Sequence, residues 1–196
     1  MNDPPVAIVI GGINGAGKTT AARSLLAEQL AVTTFVNADA LAFGLNAFAP
    51  DVAAIAAGRV MLQRLKELEA ERADLSFETT LAGKTYGTFL KRLKTKGYRI
   101  EIYYFWLPSI ELELERIALR VSVGGHDIPE PTLRHRFRRS FRNFWYIYRL
   151  LADTWAVYDN RSAVTQATAT GSGNRVESIV DPSGWRTFLE LVSDEG

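Results

Sequence analysis

Five consecutive apolar residues, Val6-Ala7-Ile8-Val9-Ile10, run directly into Gly11-Gly12-Ile13-Asn14-Gly15-Ala16-Gly17-Lys18-Thr19. An unbroken apolar run rich in β-branched residues reads as a strand buried on both faces, which is a strand of a parallel sheet. The spacing that follows, Gly12-x4-Gly17-Lys18-Thr19, is a complete Walker A motif, and it lies between a strand and a helix as that motif requires. Its glycines let the chain wrap so that successive backbone N–H groups point inward. The next helix turns its positive N-terminal end toward the same point. A loop built this way holds polyphosphate. Gly12, Asn14, Gly15, Ala16, Gly17, Lys18, Thr19 and Thr20 are therefore the candidate nucleotide-binding residues. Lys18 would reach the β- and γ-phosphates, and the Thr19 hydroxyl would ligate magnesium.

The rest of the chain alternates. Strands are expected at 33–36, 75–79, 99–107 and 155–158, and helices at 19–30, 50–72, 83–96, 109–123, 132–153 and 184–192. Ser109 is placed to cap the fourth of these helices. Residues 163–174, rich in Thr, Ala, Gly and Ser, read as a mobile surface loop, and 175–180 as a small extra strand. Alternating strands and helices predict a three-layer α/β/α fold, a P-loop NTPase with a mostly parallel five-stranded sheet. The arrangement is nucleotide-kinase-like, one domain over 1–196, with a helical lid at about 120–140.

Composition narrows the function classes. Lys and Arg total 23 against 22 Asp and Glu, a balance that argues against a dedicated nucleic-acid binder. Cysteine is absent, which excludes disulfides, thiolate metal sites and cysteine nucleophiles. No apolar run reaches membrane-spanning length, and no basic segment precedes the first apolar run, so a cytoplasmic protein is expected, monomeric by default.

In parallel sheets ligands bind beyond the carboxyl ends of the strands, and polar residues cluster there. Asp39 follows the second strand, where a carboxylate can take the proton of an attacking hydroxyl; an N-cap is the structural alternative. Glu78 ends the third strand, and Thr79, Thr80 and Lys84 follow it as candidate acceptor-site residues. Ile110, Leu114, Ile117 and Val121 recur at helical spacing and should face the core, with Arg116 and Arg120 sharing another face. Arg134, Arg138 and Arg142 lie four apart on the next helix, beside its apolar stripe Phe137, Phe141, Phe144 and Tyr148. With Arg120 they flank the loop 124–131, an arrangement suited to a lid that brings arginine to a transferring phosphoryl group. Arg116, Arg120 and Arg134 are the candidate catalytic arginines. A nucleic-acid patch is the other reading of the arginine-rich helix. His126 reads as a structural loop histidine, with substrate contact the alternative, and Asn160 is a candidate for the nucleotide's base side.

Four segments together carry a resemblance: Gly12 through Thr20, Val36-Asn37-Ala38-Asp39, Phe77-Glu78-Thr79-Thr80, and Gly124-Gly125-His126-Asp127-Ile128-Pro129-Glu130 with the arginines after it. In their order and spacing the chain resembles the zeta-toxin group of P-loop kinases, and the last segment looks like the lid of a chromosomal, zeta-like branch. The resemblance implies transfer of a phosphoryl group from ATP or GTP, with Mg2+, to a sugar hydroxyl of UDP-N-acetylglucosamine. It also implies Asp39 as catalytic aspartate, Lys18 as phosphate lysine, Glu78 as substrate-side glutamate, Arg116 or Arg120 as the conserved arginine, and an antitoxin as a possible partner.

Overall fold

The structure is a computed structural model that describes residues 3–24, 34–46, 50–125, 127–162 and 164–194. The first apolar run forms β1 (Val6–Gly12), with Ala7 to Ile10 at most 1% exposed. It is the middle strand of a parallel set that also contains β2 (Phe35–Val36), β3 (Leu75–Thr79), β4 (Arg99–Trp106) and β5 (Thr154–Asp159). The expected five parallel strands are present in the order β2-β3-β1-β4-β5. The step from β1 to β2 runs one way across the sheet and every later step runs the other. Right-handed crossovers then put the two sets of connections on opposite faces, which makes three layers.

The helices are α1 (Lys18–Ser24), α2 (Ala38–Leu45), α3 (Pro50–Ala70), α4 (Thr85–Thr95), α5 (Ile110–Ser122), α6 (Glu130–Asn143) and α7 (Pro182–Ser193). Ser109 caps α5 as expected, accepting from Leu112 N at 3.3 Å. Residues 25–33, which hold the rest of the helix expected after the glycine loop and the start of the second strand, lie outside the described residues, as does His126. α2 is an element the sequence reading did not contain.

One face of the sheet carries the aromatic core. Val9 pairs with Phe77 on one side and Ile102 on the other, and Tyr104 with Val157, so these side chains share a face. Phe77 packs on Tyr86 and Phe89 of α4. Tyr104 packs on Phe141, Phe144 and Phe188, drawing α6 and α7 onto the same layer. Each such fully buried aromatic contributes about 2 kcal/mol or more by area. The stripe Phe137, Phe141, Phe144 and Tyr148 is core, at most 6% exposed. After Asn143 the helix widens into a π-turn, Phe144–Tyr148, and then tightens into a 3-10 turn, Arg149–Leu151. The change of period rotates the face, which lets Trp145 meet Trp155 and Trp185 while the Tyr148 hydroxyl reaches Gly83 O.

Two expectations are corrected. The stretch 163–174 is not a loop: it contains β6 (Gln166–Ser172), antiparallel to β5, and β7 (Arg175–Ile179) pairs antiparallel with β6 to complete seven strands. Its small residues are there because bulky neighbours leave no room. A Cβ on Gly171 would stand 2.3 Å from the Trp155 ring, and Thr168 and Ala169 are fully buried. On α5, Val121 is 37% exposed while Glu113 is fully buried, so the inward face of that helix is rotated from the predicted stripe.

Candidate active site

The glycine loop leaves β1 through Gly12, whose φ of +136° lies where L side chains are strained. A Cβ there would stand 2.0 Å from Phe105 O, so the loop passes hard against β4. Gly12→Ala is expected to destabilise the protein by more than ~3 kcal/mol, read as a large drop in the denaturation midpoint. An alanine variant with an unshifted midpoint would show that the loop can be built another way.

Asn160, at the end of β5, ties the loop down. Its side-chain N–H donates to Ala16 O at 2.7 Å, and its Oδ1 accepts from the Thr165 hydroxyl at 2.7 Å. Arg116 does the same from α5, donating to Gly15 O at 3.2 Å, Asn160 O at 2.8 Å and Arg161 O at 3.1 Å. The two therefore knit the outer wall of the loop, and Arg116 also lines the cleft.

That cleft, about 300 Å³, is bounded by Asn14, Gly15, Gly17, Lys18, Thr19 and Thr20 on the loop side, with Asp39, Glu78, Arg116, Ile117 and Arg120 facing them. Lys18 is 6% exposed; its ammonium donates to Ile13 O at 2.8 Å and stands 3.7 Å from Glu78 Oε1. Glu78 Oε2 accepts from the Thr19 hydroxyl at 2.7 Å and from Asn37 Nδ2 at 2.8 Å. The Asn37 side-chain oxygen caps α2, accepting from Asp39 N at 2.8 Å and Ala40 N at 3.1 Å. Asn37, not Asp39, is thus the cap. Asp39 sits in the first turn of α2, exposed, its carboxylate on the cleft wall and favoured by the helix dipole.

A smaller pocket of about 70 Å³ adjoins the cleft, lined by Asn14, Lys18, Asn37, Ala38, Asp39, Glu78, Thr79, Thr80 and Arg136. Thr79 and Thr80 are thereby brought beside Asp39. Lys84 is exposed at the head of α4 and lines neither of these two pockets.

The arginines divide differently from the expectation. Arg120 lines the main cleft. Arg134 does not: it pairs with Glu130 at 2.7 Å and approaches Glu111 at 3.9 Å, and with Arg138 it lines a groove of about 510 Å³ on another face of α6. The sequence pattern of arginines four apart marked the face of α6 turned away from the phosphate loop. Arg136, half-buried, belongs to the face turned toward it. Arg136 sits beside the core-facing Phe137, outside the stripe of arginines four apart, so spacing alone does not single it out.

Five further residues are not marked by the sequence pattern: Leu81, Ser140, Asn143, Tyr104 and Glu113. Leu81 takes a positive φ of 56°, uncommon for a leucine, in the turn that follows β3. α6 holds that turn: Ser140 Oγ donates to Thr80 O at 2.5 Å, and Asn143 Nδ2 to Leu81 O and Ala82 O at 2.9 Å. Tyr104 OH in turn donates to Ser140 Oγ at 2.8 Å. The last is Glu113, on α5 directly under the loop, whose carboxyl burial pushes up to about 8 despite the nearby Lys18, Asn14 N–H and Arg136. Helical spacing sets Glu113, three residues after Ile110 and four before Ile117, on the opposite side from its exposed neighbours Glu111 and Glu115, but a carboxylate within an apolar stripe does not by itself announce burial. Among the described residues no group of three or more His, Cys, Asp or Glu is arranged to hold a metal, and no helix is long and apolar enough to cross a membrane.

No protein-family model matches the chain. An uncharacterized protein of Haemophilus influenzae (strain ATCC 51907 / DSM 11121 / KW20 / Rd) is 32% identical over 131 residues, 67% of this chain and 91% of that protein. Among solved structures, the AvrRxo1-ORF1:-ORF2 complex with ATP superposes at a TM-score of 0.76 with 14% identity, covering all of this chain and 66% of that one. The chain therefore spans just under two thirds of that protein's length. The PezAT chromosomal toxin–antitoxin system of Streptococcus pneumoniae superposes at 0.63 with 18% identity, covering 98% of this chain and 89% of that one. The fold is that of the zeta-toxin-like P-loop kinases.

Proposed function

We propose that this chain, which belongs to the family of the Haemophilus influenzae protein and has the zeta-toxin-like P-loop kinase fold, is an ATP-dependent phosphotransferase acting on a hydroxyl of a small molecule. The observation that carries the reading is the convergence of Asp39, Glu78 and Arg136 on the pocket beside Lys18. A phosphate loop alone would serve any nucleotide binder; a carboxylate and an arginine facing its γ-phosphate end serve transfer.

The Thr19 hydroxyl and the Glu78 carboxylate, already 2.7 Å apart, are hard oxygen donors of the kind magnesium takes alongside substrate phosphates. When bound, the ion would neutralise charge between the β- and γ-phosphates. Lys18 holds those phosphates. Asp39 orients the acceptor hydroxyl and accepts its proton as the hydroxyl oxygen bonds to the γ-phosphorus and the bond to the β-bridging oxygen breaks, releasing ADP. Arg120 and Arg136 offset the charge on the transferring group. Thr79 and Thr80 line the acceptor side. A nucleotide sugar such as UDP-N-acetylglucosamine is the acceptor class we favour, and an antitoxin-like protein the partner class, on the fold shared with toxin–antitoxin complexes.

The test is transfer of label from γ-labelled ATP to a panel of nucleotide sugars, sugars, nucleosides and short oligonucleotides. Label on UDP-N-acetylglucosamine supports the full reading; label on another acceptor keeps the chemistry and changes the substrate; ATP binding without transfer to any acceptor sinks the kinase reading. Arg136→Ala is expected to lower kcat by about 10²-fold with little change in ATP affinity. Equal kcat in that variant would remove Arg136 from the site.

A further inference from the structure

The phosphate loop rests on a buried carboxyl that the mechanism above does not use. Glu113, in the first turn of α5, is fully buried; the Asn14 backbone N–H approaches its carboxyl, but among the described residues neither oxygen has a well-formed hydrogen bond. Asn14, in the loop above it, is 6% exposed, and its side-chain oxygen is likewise without a partner. Three acceptor oxygens thus lie buried in one region, with the Asn14 backbone N–H the nearest donor to the Glu113 carboxyl and no well-formed hydrogen bond to any of the three. Each such atom costs about 1–3 kcal/mol when left unpaired, and an unpaired ionised carboxylate more. A proton on Glu113 changes the count: it removes the charge and turns one acceptor into a donor.

We propose that Glu113 is a positioning residue of the phosphate loop: as the neutral acid it donates a hydrogen bond to Asn14 Oδ1, holding that side chain and the loop in their phosphate-binding shape. Ionisation of Glu113 breaks this bond and puts a negative charge directly beneath the site that must hold the nucleotide's phosphates. The proposal rests on the reading of the loop as a phosphate site.

The groups facing Glu113 come from every neighbouring element. Lys18 from α1, the Asn14 backbone N–H and Arg136 from α6 each favour the charged form; Tyr104 from β4 has a buried phenol that Glu113 pushes further from ionising. Burial outweighs the three favourable neighbours, so the carboxyl titrates near 8 rather than in the ordinary carboxylate range. The sign follows. Phosphate binding favours the protonated form, so affinity is full below this value and falls as pH rises through it.

The experiment has two parts. ATP–Mg2+ affinity is measured at pH 7 and pH 9 for the wild-type chain and for Glu113→Gln, which keeps the shape and a donor but cannot ionise. If only the neutral form binds, the ratio of Kd at pH 9 to Kd at pH 7 is about tenfold for wild type, set by a pKa of about 8, and smaller by that factor in the variant. Separately, the Glu113 carboxyl is followed by 13C NMR in the nucleotide-free wild-type protein, which needs no variant to fold. A midpoint near 8 together with the difference in ratios supports the proposal. A midpoint below about 6, or the same ratio in both proteins, overturns it. Failure of both proteins to bind ATP at either pH overturns the phosphate-site reading and this inference with it; the carboxyl titration tells the two failures apart.

Discussion

Asp39→Asn is expected to lower phosphoryl transfer by about 10³-fold or more while leaving ATP affinity within about 3-fold of wild type. The split follows from where the residue sits. Asp39 is on the cleft wall opposite the glycine loop, on the first turn of α2, and shares the smaller pocket with Thr79, Thr80 and Arg136. Asparagine keeps the size and the hydrogen-bonding reach but cannot accept the acceptor's proton. The fold should not notice the change, because the helix is capped by Asn37 rather than by Asp39. The assay is single-turnover transfer from γ-labelled ATP, with nucleotide affinity measured separately by titration. A variant that retained most of its transfer rate would remove Asp39 from the role of base and shift attention to Glu78, the other carboxylate of the pocket.

Lys18→Met should have the second large effect, a loss of ~100-fold or more in ATP affinity with transfer lost alongside it. Methionine preserves the apolar stem and much of the volume, so the variant separates charge from packing. Two consequences are expected together. The phosphates lose their cation, and Glu78, now bonded by Thr19 and Asn37 and 3.7 Å from the ammonium, loses its counter-charge. Glu113 also loses a neighbour that favours its ionised form, so its titration should move higher still. An ATP affinity within a few-fold of wild type would mean that the glycine loop is not a phosphate cradle, whatever its spacing.

The local grammar of this chain was legible without coordinates. The apolar run into Gly12-x4-Gly17-Lys18-Thr19 determines a buried central strand, a tight loop and a helix start, because each requirement is met by residues adjacent in sequence. Unbroken apolar runs and period-3.6 patterns located the parallel strands and most of the described helices for the same reason. Asp39 and Glu78 could be placed near the loop because parallel topology brings strand ends together.

What the tertiary structure decided is everything that depends on which face of an element meets which neighbour. The run of small polar residues at 163–174 looked like a loop because its constraint, the Trp155 ring against Gly171, lies on another strand. Arg134 stood out in sequence by its spacing from Arg138 and Arg142, yet spacing defines a stripe without saying where the stripe points. The packing of Phe137 and Phe141 into the core turned that stripe outward and Arg136 toward the loop. Asn37 rather than Asp39 caps α2 because the helix begins one residue earlier than the acid. Glu113 reads in sequence as one of three alternating glutamates, the one that falls on the side of Ile110 and Ile117; the docking of α5 beneath the glycine loop excludes water from it and raises its titration. Covalent neighbours determined the phosphate loop, whereas burial and facing, which are properties of contacts between distant segments, determined the residues around it.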